Sequence, residues 1–130
     1  CIRDSTHTNK KKLFTNLKNQ GHTIFAANNS TKAIDFRTAD FTNASTIILG
    51  AELDGVSDEA IELSDQEIKI PMSGMVESLN VSVASAVTLY EASRQRMANG
   101  QYPNSKLKSN WLKEKYKSWI NINYREDEPS

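Results

Sequence analysis

Thr46-Ile47-Ile48-Leu49-Gly50-Ala51-Glu52-Leu53-Asp54-Gly55-Val56-Ser57 is the stretch on which the fold turns. Its first four residues are β-forming and apolar on both faces, which predicts a buried parallel strand rather than a sheet edge. Gly50 ends the strand, and Ser57 followed by Asp58 and Glu59 supplies the cap and acidic first turn of a short helix to about Ser64. Glu67 to Ile70 forms the next strand, stopped by Pro71. Upstream, Leu13, Phe14 and Leu17 recur at helical spacing between about Asn9 and Gln20, and Gly21 is the stop. Thr23 to Ala27 is a short strand, and the polar stretch from Asn28 to Ser45 is mostly loop. A long helix runs from Leu79 or Asn80 to just before Gly100, carrying Val83, Ala84, Ala86, Val87 and Tyr90 toward neighbours. Its small residues Ser82, Ala84, Ser85 and Ala86 allow another backbone to come close. Strands alternating with helices define an α/β domain with a parallel sheet.

The chain has 130 residues, 38% of them hydrophobic, with 16 Lys+Arg against 16 Asp+Glu, a composition that excludes a disordered chain and a globally basic nucleic-acid binder. No apolar run approaches the roughly 18 residues of a membrane span, and the single Cys allows no disulfide within the chain, so a reducing, cytoplasmic setting and no membrane partner are expected. A chain that begins at Cys1 is expected to have lost an upstream segment; a self-processed nucleophile or a lipid-anchored Cys are the alternatives.

The zero net charge conceals blocks of +5 over residues 1–32, −9 over 33–92 and +4 over 93–130. Such blocks are either solvated faces or polyanion contacts at both ends of the chain. The last helix, about Ser105 to Ile120, is basic and amphipathic, with Trp111 and Trp119 as core or interface anchors or as base-stacking platforms.

Glycines at 50, 55 and 74 follow strands, where α/β sheets bind ligands and where Gly lets backbone approach a ligand. The run Gly50 to Ser57 imitates a phosphate loop but lacks its Lys, and Glu52 and Asp54 repel phosphate; they suit ribose hydroxyls or a cationic centre. No His, Cys and carboxylate cluster has metal-ligand spacing, so no metal is expected. Ile70-Pro71-Met72-Ser73-Gly74-Met75-Val76-Glu77-Ser78-Leu79-Asn80-Val81-Ser82 is too apolar for a solvated connector. Ser78 and Asn80 stand where a helix cap is needed, and capping is their plain role.

Taken together, Leu49 to Ser57 and Ile70 to Ala84, in this order and about twenty residues apart, resemble motifs two and three of the SpoU/TrmH family of the SPOUT superfamily. The similarity extends upstream through Ile24 to Asn28 and Asp35 to Arg37, and downstream through Tyr90 to Arg96. Within the family it is nearest to the tRNA enzymes that methylate the ribose of the D-loop guanosine. The resemblance implies a SPOUT-type parallel sheet with a deep trefoil knot over residues 70–98. Residues 1–100 form the C-terminal part of that domain, truncated at its N-terminus, and residues 101–130 a basic helical extension. It implies S-adenosyl-L-methionine as cofactor, held by Ala26, Ala27, Asn28, Leu49, Gly50, Glu52, Ile70, Met72, Ser78, Leu79 and Asn80. Glu52, Ser78 and Asn80 would also serve the reacting centre.

The family's motif one, with the Arg that takes part in deprotonating the ribose 2′-hydroxyl, lies N-terminal to this sequence, and neither Arg3 nor Arg37 stands in a matching context. The expected function is methyl transfer to a ribose 2′-hydroxyl of RNA, most closely tRNA, by a cytoplasmic homodimer joined through the knot region. RNA would be drawn by Lys10, Lys11, Lys12, Arg94, Arg96, Lys113 and Lys117. The alternatives are a non-catalytic RNA-binding or assembly module that keeps the knot, and an rRNA ribose methyltransferase.

Overall fold

The computed structural model describes residues 5–51, 53–74, 78–101 and 114. The chain divides into two compact units, Cys1–Asn99 and Gly100–Ser130. In the second unit Glu114 is helical and exposed, and the expected last helix, with Lys113 and Lys117, otherwise lies outside the described residues.

The first unit runs α1 (Lys10–Asn19), β1 (Thr23–Ala27), β2 (Ile34–Asp35), a 3-10 turn (Phe36–Thr38), β3 (Ser45–Ile48), α2 (Asp58–Leu63), β4 (Gln66–Lys69) and α3 (Val81–Ala98). Each helix starts on a capping side chain. Asn9 Oδ1 accepts from the Lys12 amide at 3.0 Å, Ser57 Oγ from Ala60 at 3.4 Å and Asn80 Oδ1 from Ser82 at 2.9 Å. These bonds satisfy amides that have no partner inside the helix. After α1 the chain turns at Gly21, whose φ of 82° is costly for any residue with a Cβ.

The four strands are parallel, in the order β2-β4-β1-β3, so β1 is flanked by two strands that come later in the chain. Side-chain alternation along β1 feeds two cores. Ile24 and Ala26 join Phe14, Val56 and Ala60 under α1 and α2, while Phe25 joins Phe36, Ala39, Phe41 and Ile68 on the opposite face, with Val87 and Ala92 of α3 packed over them. Phe25 and Phe41 meet edge to face at 4.9 Å.

Several expectations need correction. β3 is parallel, but among the described residues it is an edge strand, half-buried along its length, because its only partner is β1. The stretch from Asn28 to Ser45 is mostly loop, as expected, but it also carries β2, the 3-10 turn and the buried Phe36 and Phe41. The inner face of α3 is formed by Val87, Thr88, Glu91, Ala92 and Gln95, whereas Val83, Ala86 and Tyr90 are turned to solvent. Polar groups dock this helix: the Gln95 amide donates to Ala39 O and accepts from Phe41 N, both at 2.9 Å. At Gly50 a Cβ would lie 2.0 Å from the backbone carbon of Gly55, so closure of its own loop by itself requires glycine here.

Candidate functional site

The carboxyl ends of three neighbouring parallel strands, β4, β1 and β3, converge with the segment that enters α3. Two adjoining hollows lie there, of about 140 and 450 Å³. Both are bordered by Ala27, Asn28, Ser78 and Leu79. Ile70, Met72 and Phe36 border the smaller, and Leu49, Gly50 and Asn80 the larger. A cleft of this size, apolar with a few amides and hydroxyls, is in the range of small-molecule sites, roughly 300–1,000 Å³.

Residues expected from sequence to share one site, though separated by up to half the chain, are thus brought together at one edge of the sheet. One does not take part as expected. Ala26 is fully buried in the core under α1 and α2, because alternation turns its side chain into that layer. Glu52 lies outside the described residues. Asn80 has both roles considered for it: it caps α3 and borders the cleft. Among the described residues lining the two hollows, Lys69 alone carries a titratable side chain.

The wall formed by residues 28–30 is fixed to β4. The Asn28 amide N–H donates to Ile68 O at 3.0 Å, continuing the ladder past the end of β1. Asn28 Nδ2 and Ser30 Oγ both donate to Glu67 Oε2 at 2.7 Å. The Ser30 hydroxyl, and after it the Asn28 amide, hold the Glu67 carboxyl below its ordinary value. Sequence reasoning missed Glu67 and Ser30. The available signal was a carboxylate inside a parallel strand, a position that requires hydrogen-bonding partners.

The expected RNA-binding cations fall into two groups. Lys11 and Lys12 are exposed on α1, and Lys10 Nζ donates to Ser57 Oγ at 3.0 Å and lies 4.0 Å from Glu59. Lys10 also borders a third hollow, which reaches Leu49 and Gly50. The two arginines of α3 are engaged within the fold. Arg94 pairs with both Glu91 oxygens at 2.8 Å, and Arg96 donates to Phe41 O at 2.8 Å and to Asn43 O at 3.0 Å. Among the described residues no group of three or more His, Cys, Asp or Glu is placed to hold a metal. Nor is any described helix long and apolar enough to cross a membrane.

Residues 2–90 match the family described as the SpoU rRNA Methylase family. The chain is 48% identical over 101 residues to a tRNA (guanosine(18)-2′-O)-methyltransferase of Escherichia coli strain K12, a stretch covering 78% of this chain and 44% of that protein. The crystal structure of the Aquifex aeolicus TrmH/SpoU tRNA modifying enzyme superposes with a TM-score of 0.81 at 38% identity, over 91% of this chain and 60% of that one. A third relative, the SpoU methyltransferase AviRb of Streptomyces viridochromogenes in complex with the cofactor AdoMet, gives a TM-score of 0.63 at 26% identity over 69% of this chain and 37% of its own. The chain spans about half the length of the curated relatives it matches.

Proposed function

Because the chain belongs to the SpoU rRNA methylase family, we propose that it is the cofactor-binding part of an RNA ribose 2′-O-methyltransferase that acts in the cytoplasm on tRNA at guanosine 18. One observation carries the reading: loops from three parallel strands and the start of α3 converge on one apolar cleft edged by Asn28, Ser78 and Asn80. That lining fits an adenosyl group, which needs flat apolar walls and a few polar contacts. Leu49, Gly50, Ile70, Met72 and Leu79 would hold it, together with Glu52 of the first motif segment.

S-adenosylmethionine, when bound, supplies an activated methyl group, which leaves alignment and proton removal to the protein. Asn80 couples the two tasks: the side chain that fixes the first turn of α3 also edges the cleft, so the helix start and the cleft wall are set together. Ser78 and Leu79 border both hollows. The described lining holds no carboxylate and no His. By the family resemblance, the ribose proton is taken by the motif-one Arg, assisted by the substrate's own phosphate.

The reading includes a knot over residues 70–98, a methyltransferase portion over 1–100, a basic helical extension over 101–130 and a homodimer through the knot region. An exposed apolar stripe on α3, Val83, Ala86, Tyr90 and Met97, supports the dimer. Lys10 borders the hollow that reaches the Gly50 loop, a position that supports phosphate contact there, and Lys11 and Lys12 are exposed on the same helix. Labelled methyl transfer from S-adenosylmethionine to tRNA by the full-length protein tests the proposal. Activity is expected in the unaltered enzyme and a loss of at least ~100-fold in Asn80→Ala, as for removal of a group that positions the reacting centre. Full activity in that variant would refute the site, and no transfer to any RNA would refute the function.

A further inference from the structure

We infer that Glu67 is a positioning residue of the cleft: its hydrogen bond to Asn28 Nδ2 decides which end of the Asn28 amide a bound ligand meets. The inference rests on the cofactor reading above. Glu67 lies on β4, in register with Ala26 of β1, so its carboxylate is beside the point where β1 gives way to the cleft wall. The Asn28 backbone is already tied to Ile68 O at 3.0 Å, which leaves its side chain to be oriented.

An Asn side chain has nearly the same shape in its two amide orientations, and only its partners choose between them. An ionised carboxylate accepts and never donates, so at 2.7 Å Glu67 admits only the NH2 end. Ser30 Oγ, bonded to the same oxygen at 2.7 Å, stiffens that oxygen's position, and the Lys32 amide fixes Ser30 in turn at 3.2 Å. Asn28 borders both hollows. With its NH2 held on Glu67, the side chain offers the cleft an acceptor. The group it selects is a donor: a ribose hydroxyl, an exocyclic amine or an ammonium, all present on S-adenosylmethionine.

A charge-swap cycle read by calorimetry with S-adenosylmethionine on the full chain tests this. Asn28→Asp sets a second carboxylate against Glu67 and is expected to weaken binding about ten-fold or more. Glu67→Gln keeps an acceptor for Asn28 and is expected to stay within about three-fold of the unaltered chain. The double variant Asn28→Asp, Glu67→Gln restores a donor on residue 67 and an acceptor toward the ligand; recovery to within about three-fold is expected, which a merely structural role would not give.

A double variant that binds as weakly as Asn28→Asp, or an Asn28→Asp that binds normally, overturns the inference. If circular dichroism shows Asn28→Asp unfolded, Asn28→Ala and Glu67→Ala with Asn28→Ala replace it. The double must then bind no more weakly than Asn28→Ala alone, and additive losses overturn the inference. Absence of binding by the unaltered chain would overturn the cofactor reading itself, a failure distinct from any seen in the variants.

Discussion

Glu91 shows how a nearly buried carboxylate is made tolerable. Only 9% of the residue is exposed, and both its oxygens are occupied by Arg94 and Gln95. The Arg94 hydrogen bonds, acting against burial, hold its carboxyl down to about 2 from an ordinary 4.5. A carboxyl lowered in the folded state adds stability above its unfolded value and loses it as pH falls through the folded one. The contribution of Glu91 is therefore whole above about pH 4.5 and is lost between there and about pH 2. Melting temperatures across that interval are expected to fall less steeply in Glu91→Gln than in the unaltered chain; equal slopes would show that folding does not lower the Glu91 carboxyl. The Arg37 pair holds Asp35 down to about 2 as well, so part of the slope persists in the variant. Single residues were also where the sequence was least legible. Ala26 and Ala27 are indistinguishable by type, and only the parity of β1 separates the one in the core from the one on the cleft.

At the level of elements, the three helices and the strands β1, β3 and β4 were readable to within a residue or two, since they depend on local propensity and on capping side chains such as Ser57 and Asn80, whereas β2, two residues long, was read as loop. The inward face of α3 was not. Apolar and small residues are spread around that helix, so periodicity offers no single stripe, and the face that docks does so through Thr88, Glu91 and Gln95. The result is that Tyr90, 80% exposed, Met97, 65%, and Val83, 47%, lie on the outside with Ala86 between them. A stripe at three- and four-residue spacing is suited to a helix from a second copy. Tyr90→Glu on that stripe is expected to turn a dimer into a monomer in light scattering while leaving circular dichroism unchanged. A monomeric unaltered chain would refute the helix as the interface.

For the whole molecule, neutrality is the sum of unlike parts, and the charges that matter for RNA are local. Lys11 and Lys12 are exposed, while Arg94 and Arg96 are engaged by Glu91, Phe41 and Asn43. Changing Lys11 and Lys12 together to Ala should therefore lower the slope of log K against log salt for tRNA binding by about 1.4–1.8, two released counterions' worth. An unchanged slope would remove α1 from the RNA surface. The α/β class was legible in the sequence, because strand–helix alternation survives there, and the family resemblance implied the gathering of motif residues at the carboxyl ends of the strands. The order β2-β4-β1-β3 was not, since nothing local records which strand lies beside which. That order also dictates how the chain can assemble. β1 finds neither neighbour until β3 and then β4 have been made, and the Ile24 amide waits for the Asp65 carboxylate, 41 residues on, which it reaches at 2.8 Å. On a ribosome, β1 emerges before both of its neighbours, so its apolar run Ile24-Phe25-Ala26-Ala27 stands open to chaperones until β3 and β4 have followed.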